Sequence, residues 1–260
     1  MARCALASAT LIAALMAGAE PASAERLITS ISRHQVLVTS SFTGTSIVLF
    51  GTVEPDTPTS RMRSTYDIVV TVTGPRETLV TRRKERLLGI WVNASSRTFV
   101  NVPNYLYVLA NRPFDQIANT ETLRRLQVGL DYFQLPQQIG PDIADVVRDD
   151  PFRVNFIRLK TEHQLYGQRT NGVTFLTPTL FRSEIRLPAE APFGNYDADV
   201  KLFADGNMLV RTNSAFEVVK VGFEQFVASA ARDYGLLYGI VTVMMAVMTG
   251  WFASVVFRRD

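Results

Sequence analysis

The sequence predicts a mainly β protein: an immunoglobulin-like antiparallel sandwich with a helical insertion, plus one C-terminal transmembrane helix. Two groups of short segments rich in β-branched and aromatic residues are separated by turn residues, which is typical of antiparallel sandwiches. A stretch with helical periodicity, at about 103–168, lies between the two groups. The run 234–257 contains no charged residue and is long enough to cross a bilayer.

The first 24 residues have the composition of a cleavable secretory signal. Arg3 supplies a short positive region, residues 6–18 are apolar, and Ala22-Ser23-Ala24 matches the small-residue cleavage pattern before Glu25. An uncleaved anchor is the alternative, but this apolar run is short for a bilayer span. The single cysteine, Cys4, lies in this segment, so the mature chain has no thiol for a disulfide or a metal site.

The first group of expected strands lies between residues 33 and 102. Its segments end at turn signals such as Gly44, Gly51 and Gly74-Pro75. Trp91 falls in one segment, and we expect it to fill the core. Residues 53–63, rich in proline, threonine and serine, are expected to form a surface loop. The expected strands cover residues 35–40, 46–50, 67–73, 77–81, 87–93 and 97–102.

Residues 103–168 are expected to be helical. One helix spans 120–133, capped by Asn119 or Thr120, and a short helix spans 141–149. A third helix begins with Asp150 as its N-cap and Pro151 at its first position, and it continues to about residue 166.

The second group of strands lies between residues 173 and 219, with a hairpin turn at Asp205-Gly206. The simplest arrangement combines both groups in one sandwich. Two small sandwiches joined by a helical linker are the alternative. Pairing of strands near 36–53 with strands near 181–219 would identify a single domain.

The sequence of the C-terminal part predicts that the chain is a single-pass membrane protein. Residues 25–220 form the exported domain, 221–233 an amphipathic juxtamembrane helix, and 234–257 the transmembrane helix. Arg258 and Arg259 lie in a tail at 258–260, which the positive-inside rule places in the cytoplasm. The lipid bilayer is therefore an expected partner.

Small residues form a stripe along the expected membrane helix. Such a stripe allows a second helix to approach closely, although small residues are common in any membrane helix. We hypothesise that the span pairs with its own copy or with a multi-pass membrane protein. The stripe consists of Gly235, Gly239, Ala246, Gly250 and Ser254.

The sequence contains no recognisable catalytic motif, cofactor motif or metal-ligand cluster. His34 and His163 are isolated, with no second ligand at the spacing that a metal site requires. We therefore expect no enzyme activity and no cofactor. A net charge of +3 without a long basic run argues against nucleic acid as a partner. An enzyme whose site is assembled from scattered residues in the helical insertion, including His163, is the alternative.

One charged cluster is a candidate contact for an anion or a partner. It contains Arg82, Arg83, Lys84 and Arg86, with Glu85 among them, between two expected strands. The preferred interpretation is a solvated hairpin whose charges discourage pairing at the sheet edge. A binding surface for anions, anionic headgroups or an acidic partner is the alternative.

Several short motifs follow one another along the chain: Phe42-Thr43-Gly44-Thr45, Gly74-Pro75, Arg82-Arg83-Lys84-Glu85-Arg86, Gly89-Ile90-Trp91-Val92-Asn93, Leu180-Phe181-Arg182, Pro192-Phe193-Gly194-Asn195-Tyr196 and Phe257-Arg258-Arg259-Asp260. This series, which covers nearly the whole chain, resembles the family of putative alphaproteobacterial transmembrane proteins. The resemblance implies a bacterial inner-membrane protein with its N-terminal domain in the periplasm and its C-terminus in the cytoplasm. It implies no activity, cofactor or site residue.

The function that these observations favour is a non-enzymatic binding or accessory module for another membrane or envelope component. A periplasmic sensor of an anion or small ligand that uses the basic cluster is the first alternative. An enzyme with a scattered site is the second.

Overall fold

The computed structural model describes residues 25–54, 66–145, 148–222, 227 and 231–256. The expected signal segment, most of the 53–63 loop, most of the juxtamembrane helix and the 258–260 tail lie outside the described residues.

Most of the described chain is in strands. The strands are β1 (Arg26–Ile31), β2 (Gln35–Val38), β3 (Gly44–Glu54), β4 (Asp67–Thr73), β5 (Arg76–Leu87), β6 (Ile90–Pro103), β7 (Leu106–Ala110), β8 (Pro136–Ile139), β9 (Asp142–Asp145), β10 (Tyr166–Arg169), β11 (Val173–Phe175), β12 (Leu180–Pro188), β13 (Gly194–Ala204) and β14 (Asn207–Lys220). The helices are α1 (Phe114–Ile117), α2 (Thr120–Arg125), α3 (Pro151–Glu162) and α4 (Gly235–Val256).

The strands form three sheets. Sheet A has the order β1-β3-β12-β11, and sheet B has the order β10-β7-β4-β13-β14-β2. Sheet C has the order β5-β6-β8-β9 and contains the long β5–β6 hairpin, which extends beyond the sandwich. The prediction of a mainly β protein with one C-terminal helix is thereby confirmed.

The strand β4 is buried on both faces of sheet B, because its first six residues are all buried. On one face Ile68, Val70 and Val72 join the core that sheet B shares with sheet A, as the alternation predicts. On the other face Val69 packs in a second cluster with Ile117 and other residues of the α1–α2 segment. Sheet B is therefore covered by a sheet on one side and by a helical segment on the other.

The two groups of expected strands share the same sheets. β3 pairs with β12 over nine residue pairs, from Thr52 opposite Leu180 to Gly44 opposite Pro188. β2 pairs with β14 in sheet B. Pairing between the two groups is what a single sandwich requires. The strands therefore do not form two separate sandwiches.

The immunoglobulin-like arrangement is not confirmed. Sheet B is mixed, since β10 runs parallel to β7 and β2 runs parallel to β14, whereas the remaining pairs in this sheet are antiparallel. Sheet C adds a third layer with its own apolar cluster, in which Phe99 stacks on Phe156 of α3 with ring centroids 4.2 Å apart.

The region 103–168 is only partly helical. It contains β7, which is the neighbour of β4 in sheet B. Within the expected helix at 141–149, the described residues 142–145 form the strand β9 instead, which pairs with β8 across Gly140-Pro141. The positive φ of Gly140 (64°) supplies the turn of this hairpin.

Two of the expected helices end several residues before the apolar periodicity that predicted them ends. α2 stops at Arg125 because Gln127 adopts a left-handed conformation, and the Val128 amide then donates to the Leu123 carbonyl at 2.9 Å. α3 begins as predicted, with Asp150 accepting from the Arg153 amide at 3.0 Å. It ends at Glu162, because Gln164 is left-handed and the Leu165 amide then donates to the Lys160 carbonyl at 2.9 Å. The sequence does not indicate either helix end, because the left-handed residue is a glutamine in both cases, whereas glycine is the usual residue at this position.

The expected strands 77–81, 87–93 and 97–102 are in fact two long strands, β5 and β6. The chain turns at Leu88 and Gly89, where Leu87 pairs with Ile90. The basic cluster therefore lies within β5, rather than between two strands as expected.

We predict that Gly51→Ala destabilises the β domain by about 1–3 kcal/mol, the usual cost of overpacking. Gly51 in β3 lies opposite Phe181 in β12, and a Cβ at Gly51 would overlap the Phe181 ring. Thermal unfolding followed by circular dichroism measures the change. Gly222→Ala is the control, since nothing lies within 4 Å of its added Cβ. Equal stability of the two variants would contradict the packing described for sheet A.

Candidate functional site

The most distinctive surface is the β5–β6 hairpin, which we call the arm (residues 76–103). Twelve residues in β5 correspond to roughly 40 Å of extended strand. Its first half is supported by α3 and β8, and its distal half lies beyond the three described apolar clusters.

The tip of the arm (residues 87–91) exposes apolar side chains. Leu88 is fully exposed, Trp91 is 68% exposed, and Leu87 and Ile90 are also exposed. The expectation that Trp91 fills the core is therefore wrong. Its segment has a strand pattern, but the strand extends beyond the layers that could cover it. Large apolar residues grouped in this way on a surface mark a contact with a partner or a membrane.

The backbone conformation of the tip is also unusual for the residues that adopt it. Leu88 and Gly89 have φ angles of 50° and 89°, as a two-residue turn between right-twisted strands requires. Asparagine or aspartate is common at the first of these positions, whereas a left-handed leucine costs about 1–2 kcal/mol. An exposed leucine in a strained turn is not explained by folding stability.

Basic side chains occupy β5 directly before the tip. Arg82, Arg83, Lys84 and Arg86 are all exposed. Arg83 forms an ion pair with Glu85, whereas Arg82 and Lys84 have no hydrogen-bond or ion-pair partner among the described residues. The structure therefore brings all four sequence-predicted cations together beside an apolar tip, which the sequence interpretation missed.

The basic part of the arm also borders α3. A cleft of about 230 Å³ separates them, lined on the arm by residues 81–84 and on α3 by Phe152, Asn155, Arg158 and Leu159. Arg97 of β6 lies over the Phe152 ring, 5.2 Å from its centroid. This contact stabilises the arm up to its middle and leaves the tip free.

The root of the arm lies at the end of sheet B from which the chain continues to the membrane helix. Pro75, just before β5, is 3.3 Å from the position of a Cβ on Gly194, and Gly194 pairs with Val218. β14 ends two residues later, at Lys220, and α4 begins at Gly235. Only 14 residues therefore connect the root region with the membrane helix.

Hydrogen bonds fix this root. The Asn104 amide donates to the Pro75 carbonyl at 2.8 Å, and Lys160 Nζ donates to Asn104 Oδ1 at 2.9 Å. Burial lowers the pKa of Lys160, while the nearby Glu77 carboxylate opposes that effect. The Tyr166 hydroxyl donates to the Pro103 carbonyl at the other strand of the root.

The membrane helix α4 agrees with the predicted span to within one residue at its start. Its 22 residues include an 18-residue window with a mean hydropathy of 1.9, and none of them is buried, so it is long and apolar enough to cross a bilayer. The stripe residues Gly235, Gly239, Ala246, Gly250 and Ser254 are all exposed. No described residue packs within 4 Å of a Cβ added to the three glycines, and pairing through the stripe stays a prediction.

The histidines have local roles. His163 caps the end of α3, and its Nδ1 lies 2.9 Å from Glu190 Oε2 at the surface. The His34 carbonyl accepts from the Glu217 amide at 2.8 Å, next to β2. In the part of the chain that the structure describes, no group of three His, Cys, Asp or Glu side chains is placed to hold a metal ion.

We predict that Trp91→Ala leaves the stability of the β domain within about 0.5 kcal/mol of wild type, because Trp91 is exposed. Phe99→Ala on the same strand should cost about 3–5 kcal/mol, because Phe99 is fully buried against Phe156. Thermal or denaturant unfolding of both variants measures this. A Trp91→Ala loss close to that of Phe99→Ala would contradict the exposed tip.

The whole chain can be compared with proteins of known sequence, with solved structures and with models of protein families. No curated protein and no solved structure matches it. A family model described as "Putative transmembrane protein (Alph_Pro_TM)" matches residues 26–259, from the first strand to beyond α4. The chain therefore belongs to this family of transmembrane proteins.

Proposed function

We propose that the protein is a non-enzymatic, membrane-anchored binding module that uses its arm to contact the anionic surface of the bilayer. The observation that carries this proposal is the apolar tip at Leu87, Leu88, Ile90 and Trp91, next to four exposed cations. The component that it binds is the membrane itself, through a second attachment besides α4.

The chemistry of the arm matches a bilayer interface. Leucine and isoleucine side chains partition into acyl chains, and tryptophan favours the headgroup level. Basic residues next to such a segment are attracted to anionic headgroups by about 1 kcal/mol each. Arg82 and Lys84 have no protein carboxylate as a partner among the described residues and are available for that interaction.

The position of the arm supports the same partner. Its root contacts the end of sheet B from which β14 leads to α4 through 14 residues. A strand of roughly 40 Å rooted there has the reach to touch the membrane that α4 crosses. Two attachments would hold the β domain in one orientation on the membrane.

We place the β domain on the periplasmic face of the bacterial inner membrane. The signal-like residues 1–24 and the pair Arg258-Arg259 after the apolar helix support this placement. The lack of any catalytic motif in the sequence supports a binding role rather than an enzymatic one.

We predict that Trp91 is quenched by brominated lipids in proteoliposomes that contain anionic lipid. A Trp251→Phe background leaves Trp91 as the only tryptophan, since the chain has two. Quenching should be strongest with bromine near the headgroup end of the acyl chain, and it should decrease at high salt, which screens the basic cluster.

Leu88→Asp should reduce this quenching severalfold, because a charge at the tip opposes insertion. Val154→Asp is the matched control, since Val154 is an exposed apolar residue on α3 outside the arm. Unquenched Trp91 in pure lipid vesicles would contradict the proposal. Protection of Trp91 that appears only in native membranes would assign the tip to a protein partner instead.

A further inference from the structure

A polar cavity of about 600 Å³ lies on the face of sheet B that looks away from sheet A. Residues of β4, β13 and β14 form its floor, and the segment after α2 forms one wall. Its size is in the range of cavities that bind small molecules. The lining includes Thr71, Arg76, Arg125, Asp197, Asp199, Lys201 and Arg211.

The strand register brings the floor together. Asp199 lies opposite Thr71 on one side and Asn213 on the other, and Lys201 lies opposite Arg211. The alternating residues Val70 and Val200 face the core shared with sheet A, so the polar residues share the opposite face.

Lys201 is a buried cation in the middle of the sheet, with only 3% of its surface exposed. It forms an ion pair with Asp199, which also accepts from Arg211 Nε at 2.7 Å. Burial lowers the pKa of Lys201, and the adjacent Asp199 carboxylate opposes that effect. Apolar residues at such sites are often as stable as an ion pair, so stability alone does not explain this lysine.

Thr71 carries an unsatisfied hydroxyl at the same floor. The residue is 4% exposed, and its Oγ1 has no hydrogen-bond partner among the described residues. A buried polar group without a partner costs about 1–3 kcal/mol, whereas valine would fill the same volume without this cost. The hydroxyl is therefore available to a molecule that enters the cavity.

The electrostatic balance of the cavity is positive. The lining has four cationic side chains and two carboxylates. Asp199 pairs with both Lys201 and Arg211, and Asp197 accepts from Asn213 Nδ2 at 3.3 Å. Arg76 donates to the Asn101 carbonyl at 3.1 Å. Arg125, at the end of α2, has no partner among the described residues. It lies on the cavity, whereas its neighbour Arg124 does not line it.

We propose that this cavity binds a small ligand with an oxyanion, either a phosphate ester or a carboxylate. Arg125 binds the anion at the wall, Lys201 and Arg211 supply positive potential at the floor, and Thr71 donates or accepts a hydrogen bond to a polar group of the ligand. This site lies outside the arm tip and does not depend on membrane contact by the arm.

The test is calorimetric titration of the full-length protein in nanodiscs of zwitterionic lipid, with glycerol 3-phosphate and with citrate at constant ionic strength. We expect saturable binding of one of them, which distinguishes the phosphate ester from the carboxylate. Arg125→Gln and Thr71→Val should weaken binding by about tenfold or more, since each removes a hydrogen bond to the ligand. The matched control Arg124→Gln should bind like wild type.

The folding stability of the Thr71→Val variant tests the unsatisfied hydroxyl without any ligand. It should equal or exceed that of wild type, because the variant removes an unsatisfied buried hydroxyl. Failure of both anions to bind at millimolar concentration would overturn the proposal. So would wild-type binding by Arg125→Gln, or a clear loss of stability in Thr71→Val.

Discussion

The burial of β4 on both faces is the constraint on which the rest of the structure depends. A strand that is apolar on both sides must be covered twice. Sheet A covers one face through the core that contains Val70 and Val72, and the α1–α2 segment covers the other through the cluster around Val69. The apolar cluster of this second cover does not include Thr71 or the charged residues of β13. These polar residues line the cavity instead.

The same strand determines where the arm begins. β4 ends at Thr73 opposite Asp197, near the end of sheet B where β14 leaves for the membrane helix. Because Gly74-Pro75 leads directly into β5, the arm is rooted at that end. Its inner half is stabilised by Phe99 on Phe156 and by the hydrogen bonds of Asn104, while its tip makes no contact with the three apolar clusters. The root of the arm and the end of β14 thus share one end of sheet B.

The sequence predicted β4, the start of α3 and the membrane helix well, because each has a strong local signal: alternation, an Asp-Pro cap, and a long uncharged run. It failed where the signal is not local. Gln127 and Gln164 end helices in a conformation usually supplied by glycine. Trp91 has a strand pattern, but its burial depends on which layers lie nearby. The four cations were identified, whereas the cavity was missed because Asp199 and Lys201 are joined to Thr71 and Arg125 only by the fold.

The most direct test of the account is the depth of the arm tip in a membrane, measured with a spin label on Leu88→Cys in a Cys4→Ser background. A label on Asn207→Cys, at the opposite end of sheet B, is the reference. We predict that the label at position 88 is more accessible to oxygen than to a polar nickel complex in anionic proteoliposomes, as in acyl chains. The reference label should be accessible to the nickel complex. Equal nickel accessibility of both labels would contradict membrane contact by the arm.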